Sequence, residues 1–319
     1  MKPRIFVTRA LPPSVMTGLK RRFRVEGNRR DRPLSARELR AGVGRAEGLI
    51  AMLSDRIDAG VIDAAPRLRI IANYAVGYNN IDLAAAERHG IVVTNTPGVL
   101  TEATADLTWA LILAVARRVP EGEALVRSGR WTGWAPTQLV GGEVYGKTIG
   151  IVGLGRIGQA VARRAMGFAM DVIYHSRHRL PLLTEVMHGA RYRPLNALLR
   201  EADVVTLHLP LTEESRHLID RAALRLMKPT AYLINTARGP IVDEAALTQA
   251  LSAGRIAGAG FDVYEDEPRV PASLRRLKNV VLLPHLGSAT RETRVRMGRM
   301  VIENLTARFA GRQPPNKVK

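Results

Sequence analysis

The 319-residue sequence predicts an α/β protein made of two doubly wound parallel-sheet domains. Three observations carry that expectation. Short apolar runs alternate with helix-forming runs along most of the chain, as in strands joined through crossover helices. Residues Thr148 to Ala162 read as a strand, a glycine turn and a helix in that order. A separate alternating series, without a glycine turn, precedes them.

The first series opens with an apolar strand at Arg4–Thr8 and a helix from about Pro12 to Arg22. Strands follow at Gly48–Leu53, Leu68–Ala72 and Ile91–Asn95, with helices at Ile57–Ala64 and Ile81–Arg88 between them. Gly42-Val-Gly44 imitates part of a glycine fingerprint, but it lacks the third glycine and follows no strand. Thr96-Pro97-Gly98 punctuates the chain and suits a hinge between domains. Thr101 to Val119 then reads as one long helix, apolar nearly all round, which must be buried. Trp131 and Trp134 fall in a loop, where tryptophans favour interfaces, and a homodimer is expected around that helix and the Trp131–Pro136 loop.

In the second series, strands are expected at Asp171–Tyr174, Asp203–Leu209, Ala231–Thr236, Ile256–Val263 and Val280–Leu283. Glu244–Ser252 is the clearest helix among those between them, and about Thr290 to Ala310 forms a long last helix.

The glycine turn is G-x-G-x-x-G at Gly153, Gly155 and Gly158. The first glycine permits a tight turn, the second a close approach to a pyrophosphate, and the third close packing of helix on strand. The helix N-terminus adds unpaired N–H groups and partial positive charge. The strand and helix around it make dinucleotide binding the expected function. An acidic residue that would hold a ribose 2′-hydroxyl is missing: the next strand ends Tyr174-His-Ser176-Arg177-His-Arg179. Bases in place of the acid suit a 2′-phosphate, hence NADP over NAD, with Arg177 the first choice and Arg179 the second.

Composition narrows the class. There are no cysteines, which excludes disulfides, thiolate zinc sites and cysteine nucleophiles. No metal site is expected. The N-terminal residues run straight into a strand with no signal-peptide apolar core, and the longest strongly apolar stretch, Leu107–Ala116, is too short for a bilayer. A cytoplasmic protein is expected. The net charge is +19, and its densest cluster is Arg21, Arg22, Arg24, Arg29, Arg30, Arg32, Arg37 and Arg40. Only Phe23 interleaves with it, so it reads as a solvated face that attracts anionic substrates, not as a nucleic-acid platform.

Three stretches place titratable groups just beyond strand ends: Asn235-Thr-Ala-Arg238-Gly, Phe261-Asp262-Val-Tyr-Glu-Asp-Glu267-Pro and Pro284-His285-Leu-Gly287. In open α/β sheets ligands bind at those ends, so the three stretches are expected at one catalytic crevice.

With these motifs the sequence resembles the D-isomer-specific 2-hydroxyacid dehydrogenases along essentially its whole length. Ala75-Val-Gly-Tyr-Asn-Asn-Ile-Asp82, Glu102-Ala-Thr-Ala-Asp106 and Leu209-Pro-Leu-Thr212 add to the match. Within the family it is most similar to the glyoxylate and hydroxypyruvate reductases, through Gly133-Trp-Ala-Pro136, Val144-Tyr-Gly-Lys-Thr-Ile149 and Ser176-Arg177. The resemblance implies a Rossmann cofactor domain, residues 99–286, inserted into a flavodoxin-like substrate domain of residues 1–98 and 287–319. It implies that Arg238 binds the substrate carboxylate, His285 is the general acid, and Glu267 pairs with the imidazole. Cofactor contacts are implied for Thr104, Leu154, Arg156, Ile157, Ser176, Leu209, Pro210, Thr236, Ala237, Arg238, Asp262, His285 and Gly287, beside the three glycines. Substrate contacts are implied for Leu53, Val76, Gly77, Arg238 and His285, and for Trp134 reaching a partner's pocket in a homodimer.

The expected activity is therefore NAD(P)H-dependent reduction of small 2-oxo acids, such as glyoxylate and hydroxypyruvate, to 2-hydroxy acids. Two alternatives stay open. One is a different dehydrogenase of the family, acting on 3-phosphoglycerate or D-lactate; the absence of an extension beyond Lys319 weakens the former. The other is a dinucleotide-sensing protein like the family's corepressors, for which the +19 charge speaks.

Overall fold

The structure, a computed structural model, describes residues 2–28 and 32–318, so Arg29 and Arg30 of the basic cluster lie outside the described residues. The chain divides into two compact units, Met1–Leu100 with Ser288–Lys319, and Thr101–Gly287.

The first unit begins with β1 (Arg4–Val7), α1 (Pro13–Arg22), β2 (Arg24–Gly27), α2 (Ala36–Val43) and β3 (Gly48–Ala51). It continues with α3 (Ala59–Asp63), β4 (Ile70–Asn73), α4 (Leu83–Arg88) and β5 (Val92–Thr94). The five strands are parallel in the order β2-β1-β3-β4-β5, which is the flavodoxin-like order. Alternating side chains explain its two cores, because successive strand residues face opposite sides. Leu49 and Ile71 pack with Leu39, Val61 and Ala85 on one face. Ile50 and Ile70 pack with Val15, Leu19, Val301 and Leu305 on the other.

Two elements of this unit have no counterpart in the sequence reading. β2 is an edge strand with mostly exposed residues, so it shows no apolar alternation. α2 starts at a capping box, in which Ser35 accepts from the Glu38 N–H while Glu38 reaches back to Ser35. The imitation glycine motif is explained by packing: a Cβ on Gly42 would stand 2.2 Å from the Phe6 ring.

The second unit holds α5 (Thr101–Ala116), α6 (Val119–Arg127), β6 (Thr148–Val152), α7 (Arg156–Ala165), β7 (Asp171–His175), α8 (Leu182–Met187), β8 (Ala190–Tyr192) and α9 (Leu195–Glu201). After these come β9 (Val204–Leu207), α10 (Arg221–Leu226), β10 (Tyr232–Asn235), α11 (Glu244–Ser252), β11 (Gly258–Phe261), α12 (Ala272–Arg275) and β12 (Val280–Leu282). The chain then returns to the first unit through α13 (Arg291–Phe309), which packs on α1 and β4.

Seven parallel strands run β12-β11-β10-β9-β6-β7-β8. The chain leaves β6 toward β7 and later returns beside it as β9, which makes the gap between β6 and β9 the topological switch point, where doubly wound folds bind dinucleotides.

The helix expected from Thr101 to Val119 ends three residues earlier, at Ala116, and a second helix that the sequence reading did not name begins at Val119. Pro120 cannot donate to Ala116, and its ring would clash with that carbonyl. The chain turns at Arg118, in the left-handed region at φ 52°, and α6 begins at Val119. The freed Ala116 carbonyl accepts the Gly142 N–H at 2.9 Å. The apolar surface of α5 is buried within its own unit, where Ala105, Trp109, Leu111 and Ile112 share a core with β6 and α7. The unpaired apolar surface lies further on: α6 has no buried residue, and Trp131 and Trp134 are 54% and 83% exposed.

Candidate active site

The glycine turn follows β6 directly. Gly153 has φ 97°, a conformation that suits glycine, and a Cβ there would lie 2.6 Å from the His208 carbonyl oxygen. A Cβ on Gly158 would lie 2.2 Å from the Gly153 oxygen, so the third glycine is what lets α7 sit against the turn. Gly155 caps α7 without any side-chain hydrogen bond, and nothing stands within 4 Å of where its Cβ would be. An open cradle under uncapped N–H groups is what a pyrophosphate requires, so these residues fit a dinucleotide. Arg156 and Ile157 form the first turn of α7, and Leu154 packs in the core below.

At the end of β7, Ser176 donates to the His178 carbonyl at 2.5 Å, and Arg177 stands exposed. Arg179, the second-choice phosphate ligand, is engaged elsewhere. Its guanidinium holds both oxygens of Glu185 at 2.8 Å, and the Tyr174 hydroxyl also donates to that carboxylate. Glu185 was invisible as a partner because it sits on another element, α8, away from the expected acid position. Arg179 and then Tyr174 hold its carboxyl down at about 2 against burial.

Beyond β10, Asn235 pins the turn that presents Arg238. Its amide donates to the Arg238 carbonyl at 2.9 Å and accepts from the Ala237 N–H at 3.0 Å. Thr236 shares a hydrogen bond with Thr108 on α5. Burial pushes the Arg238 guanidinium below its ordinary value, and the nearby Glu267 charge opposes that shift.

Beyond β11, Asp262 is 1% exposed and its two oxygens accept the N–H groups of Leu286 and Gly287, at 2.6 and 2.7 Å. The Gly287 carbonyl accepts from Thr104 at 2.9 Å. Asp262 thus orders the His285 loop, a job the sequence alone did not reveal. Burial pushes its carboxyl up, against the Leu286 N–H, the His285 charge and the Gly287 N–H.

The imidazole Nδ1 of His285 lies 2.8 Å from Glu267, whose other oxygen accepts the Tyr264 N–H at 3.1 Å. Burial raises the Glu267 carboxyl, but the hydrogen bond and charge of His285, with Tyr264 and Arg238, outweigh it and hold it below its ordinary value. With Nδ1 facing the carboxylate, Nε2 is left to exchange a proton with a substrate. Leu209 and Pro210 follow β9, on the other side of the switch point. His208, just past β9, is kept neutral: burial pushes it down to about 3, and its Nε2 is 2.9 Å from the Thr206 hydroxyl.

In the first unit, Leu53, Val76 and Gly77 follow the carboxyl ends of β3 and β4, and amides hold their loops. Asn73 and Asn95 donate to the Gly77 and Val76 carbonyls at 2.7 and 2.8 Å. Asn80 donates to the Met52 and Asp55 carbonyls at 3.0 and 3.1 Å.

A cavity of about 610 Å³ in the second unit opens at the amino ends of the strands, beside Arg118, Lys147, Tyr232 and Lys278, away from the catalytic candidates. Among the described residues no cluster of side chains could hold a metal ion, and no helix is long and apolar enough to cross a membrane.

A seven-stranded doubly wound sheet, a glycine turn at its switch point and an arginine beside a histidine–carboxylate couple define a nicotinamide-dinucleotide oxidoreductase. Residues 109–287 match the NAD binding domain of the D-isomer specific 2-hydroxyacid dehydrogenases. The chain is 53% identical to the glyoxylate reductase of Thermococcus kodakarensis over 322 residues, covering 100% of this chain and 96% of that one. A solved structure from Thermus thermophilus is 50% identical, with a TM-score of 0.92, covering 99% of this chain and 100% of that one. The NADPH-dependent glyoxylate/hydroxypyruvate reductase of Sinorhizobium meliloti, solved with NADP and malonate, is 37% identical, with a TM-score of 0.88, covering 100% and 97%. The chain belongs to the D-isomer specific 2-hydroxyacid dehydrogenase family. It is an oxidoreductase that reduces small 2-oxo acids with a nicotinamide dinucleotide.

Proposed function

We infer that the chain is an NADPH-preferring reductase of glyoxylate and hydroxypyruvate, yielding glycolate and D-glycerate. The observation that carries this reading is Arg238 with the His285–Glu267 couple, all beyond adjacent strands of the glycine-turn sheet. Arg238 takes the substrate carboxylate, for which a fixed guanidinium fork is suited where lysine offers a point charge. The nicotinamide supplies the hydride when bound. His285 gives the proton on Nε2 to the carbonyl oxygen, and Glu267 stabilises the imidazolium before transfer. Asp262 stands to receive the carboxamide while it orders the His285 loop. Leu53, Val76 and Gly77 are the proposed substrate contacts of the first unit.

Cofactor preference rests on Arg177, which is exposed where an NAD enzyme carries an acid, with Ser176 beside it. Arg179 is the weaker candidate, because Glu185 already holds it. Steady-state reduction of glyoxylate should show a higher kcat/KM with NADPH than with NADH. Arg177→Ala should reduce that ratio about ten-fold, the worth of one charge-assisted contact. Parity between the cofactors in the parent enzyme overturns the NADPH reading and leaves the reductase reading standing.

The reading includes a cytoplasmic homodimer. Val119 and Val126 of α6, Trp131, Trp134, Val140 and Tyr145 are all exposed, an apolar surface suited to a two-fold contact. Trp134 is the proposed substrate contact across it. Sedimentation should give a dimer at micromolar concentration, and a stable monomer there sinks the idea.

A further inference from the structure

The loop from Tyr264 to Glu267 carries a second histidine–carboxylate pair. The His217 Nε2 bonds the Glu265 Oε1, two residues from the Glu267 that faces His285. The same loop is held from a third side, where the Glu265 N–H donates to Glu244 on α11 at 2.6 Å. Its backbone also touches the Arg238 turn, because a Cβ on Gly239 would fall 1.9 Å from the Tyr264 carbonyl. His217 ties these pieces together. Its backbone N–H donates to the Pro240 carbonyl at 2.8 Å, two residues past Arg238, while its side chain grips the Glu267 loop.

Stability alone does not explain His217. It sits in the left-handed region at φ 51°, a sparsely populated conformation for a residue with a Cβ. The contact it makes with Glu265 is partly exposed, at 40% and 31%, and even fully charged pairs so exposed add little. Strain of this kind persists where the surrounding structure needs a particular placement. Glu244, Glu265, Asp266 and Glu267 stand together, and His217, His285, Arg238 and the Arg269 beside Asp266 face them.

We propose that His217 is a positioning residue for the reaction: through Glu265 it fixes the loop that holds Glu267 against His285 and seats the Arg238 turn. The proposal rests on the reading of Arg238, Glu267 and His285 as the reacting groups.

The test is a double-mutant cycle on the full-length enzyme, with glyoxylate and NADPH from pH 5 to 9. His217→Asn keeps a residue that tolerates the left-handed backbone but is too short to reach Glu265. It should lower kcat about ten-fold and move the pH profile, with NADPH affinity, read by fluorescence titration, and melting temperature little changed. His217→Gln, which places a donor near the lost Nε2, should recover most of the loss. In a Glu267→Gln background, His217→Asn should add almost nothing, because its effect runs through Glu267. Additive effects, or a single His217→Asn with unaltered kcat and pH profile, overturn the proposal alone. A Glu267→Gln enzyme with the parent's kcat and pH profile overturns the reading of the site, and the proposal with it.

Discussion

The two units use one architecture for opposite kinds of work. Both are parallel sheets with helices on two faces, and both end several strands in loops that carry candidate site residues. In the first unit those loops are pinned mostly by uncharged amides, Asn73, Asn80 and Asn95, each donating to a backbone carbonyl, beside one buried carboxylate, Asp55, that accepts the Met52 N–H. The Oδ1 atoms of Asn73 and Asn80 are buried with no partner of their own. In the second unit the loops carry Arg238, Glu267 and His285: Asn235 pins the Arg238 turn, Tyr264 holds Glu267 within its own loop, and Glu267 and His285 face each other across two loops. The fold supplies the platform in both, and the loops decide whether it offers shape or charge. Amides shape a wall and leave the field unchanged, whereas charged groups that hold one another can take a carboxylate and move a proton.

That contrast predicts where damage is chemical and where it is architectural. The largest effect is expected from His285→Ala, which should lower kcat about 10²–10⁴-fold, the usual cost of losing a general acid. Dinucleotide affinity, measured by fluorescence titration, should persist, since the glycine turn is untouched. Near-normal kcat at neutral pH would show that the proton comes from another group.

A smaller effect is expected from Glu267→Gln, which keeps the shape and removes the charge. In the proposed reaction the imidazole passes a proton to the carbonyl oxygen while Glu267 faces its Nδ1 at 2.8 Å, so the variant should lower kcat for glyoxylate reduction and alter its pH–rate profile. The pair also bears on stability. The folded Glu267 carboxyl lies below its ordinary value, so its contribution is present above about pH 4.3 and lost as pH falls through the folded value. Acid unfolding of the variant should lack that component, and superimposable pH–rate profiles would remove Glu267 from the mechanism.

The smallest effect is expected in the first unit. Asn80→Ala frees the Met52 and Asp55 carbonyls and should cost about 1–3 kcal/mol of stability. Its kinetic signature should be a raised KM for glyoxylate with kcat retained, because the loop bearing Leu53 loosens while the proton-moving groups stay put. A fall in kcat equal to the rise in KM would erase the distinction between the two units.

What the sequence determined by itself follows from local rules. The glycine turn was legible because strand, turn and helix are contiguous, and each glycine answers a steric need within the turn or against the strand beside it. The buried strands were legible because they are short apolar runs, although their ends shifted by one or two residues, as with β9 at Val204–Leu207. Arg238, Glu267 and His285 were legible as residues just beyond those strands. The end of the first long helix was legible to within three residues, while the short helix α6 beyond it was not read.

Tertiary structure alone decided the pairings. The edge strands β2 and β8 needed neighbours to exist, because short, exposed strands carry little periodic signal. Arg179 went to Glu185 rather than standing free, and His217 went to Glu265, forty-eight residues away in sequence. Asp262 met the N–H groups of the His285 loop, twenty-four and twenty-five residues on. A sequence states which side chains are buried, because burial follows period and composition. It does not state which charge meets which, because that depends on where the sheet order brings distant loops together.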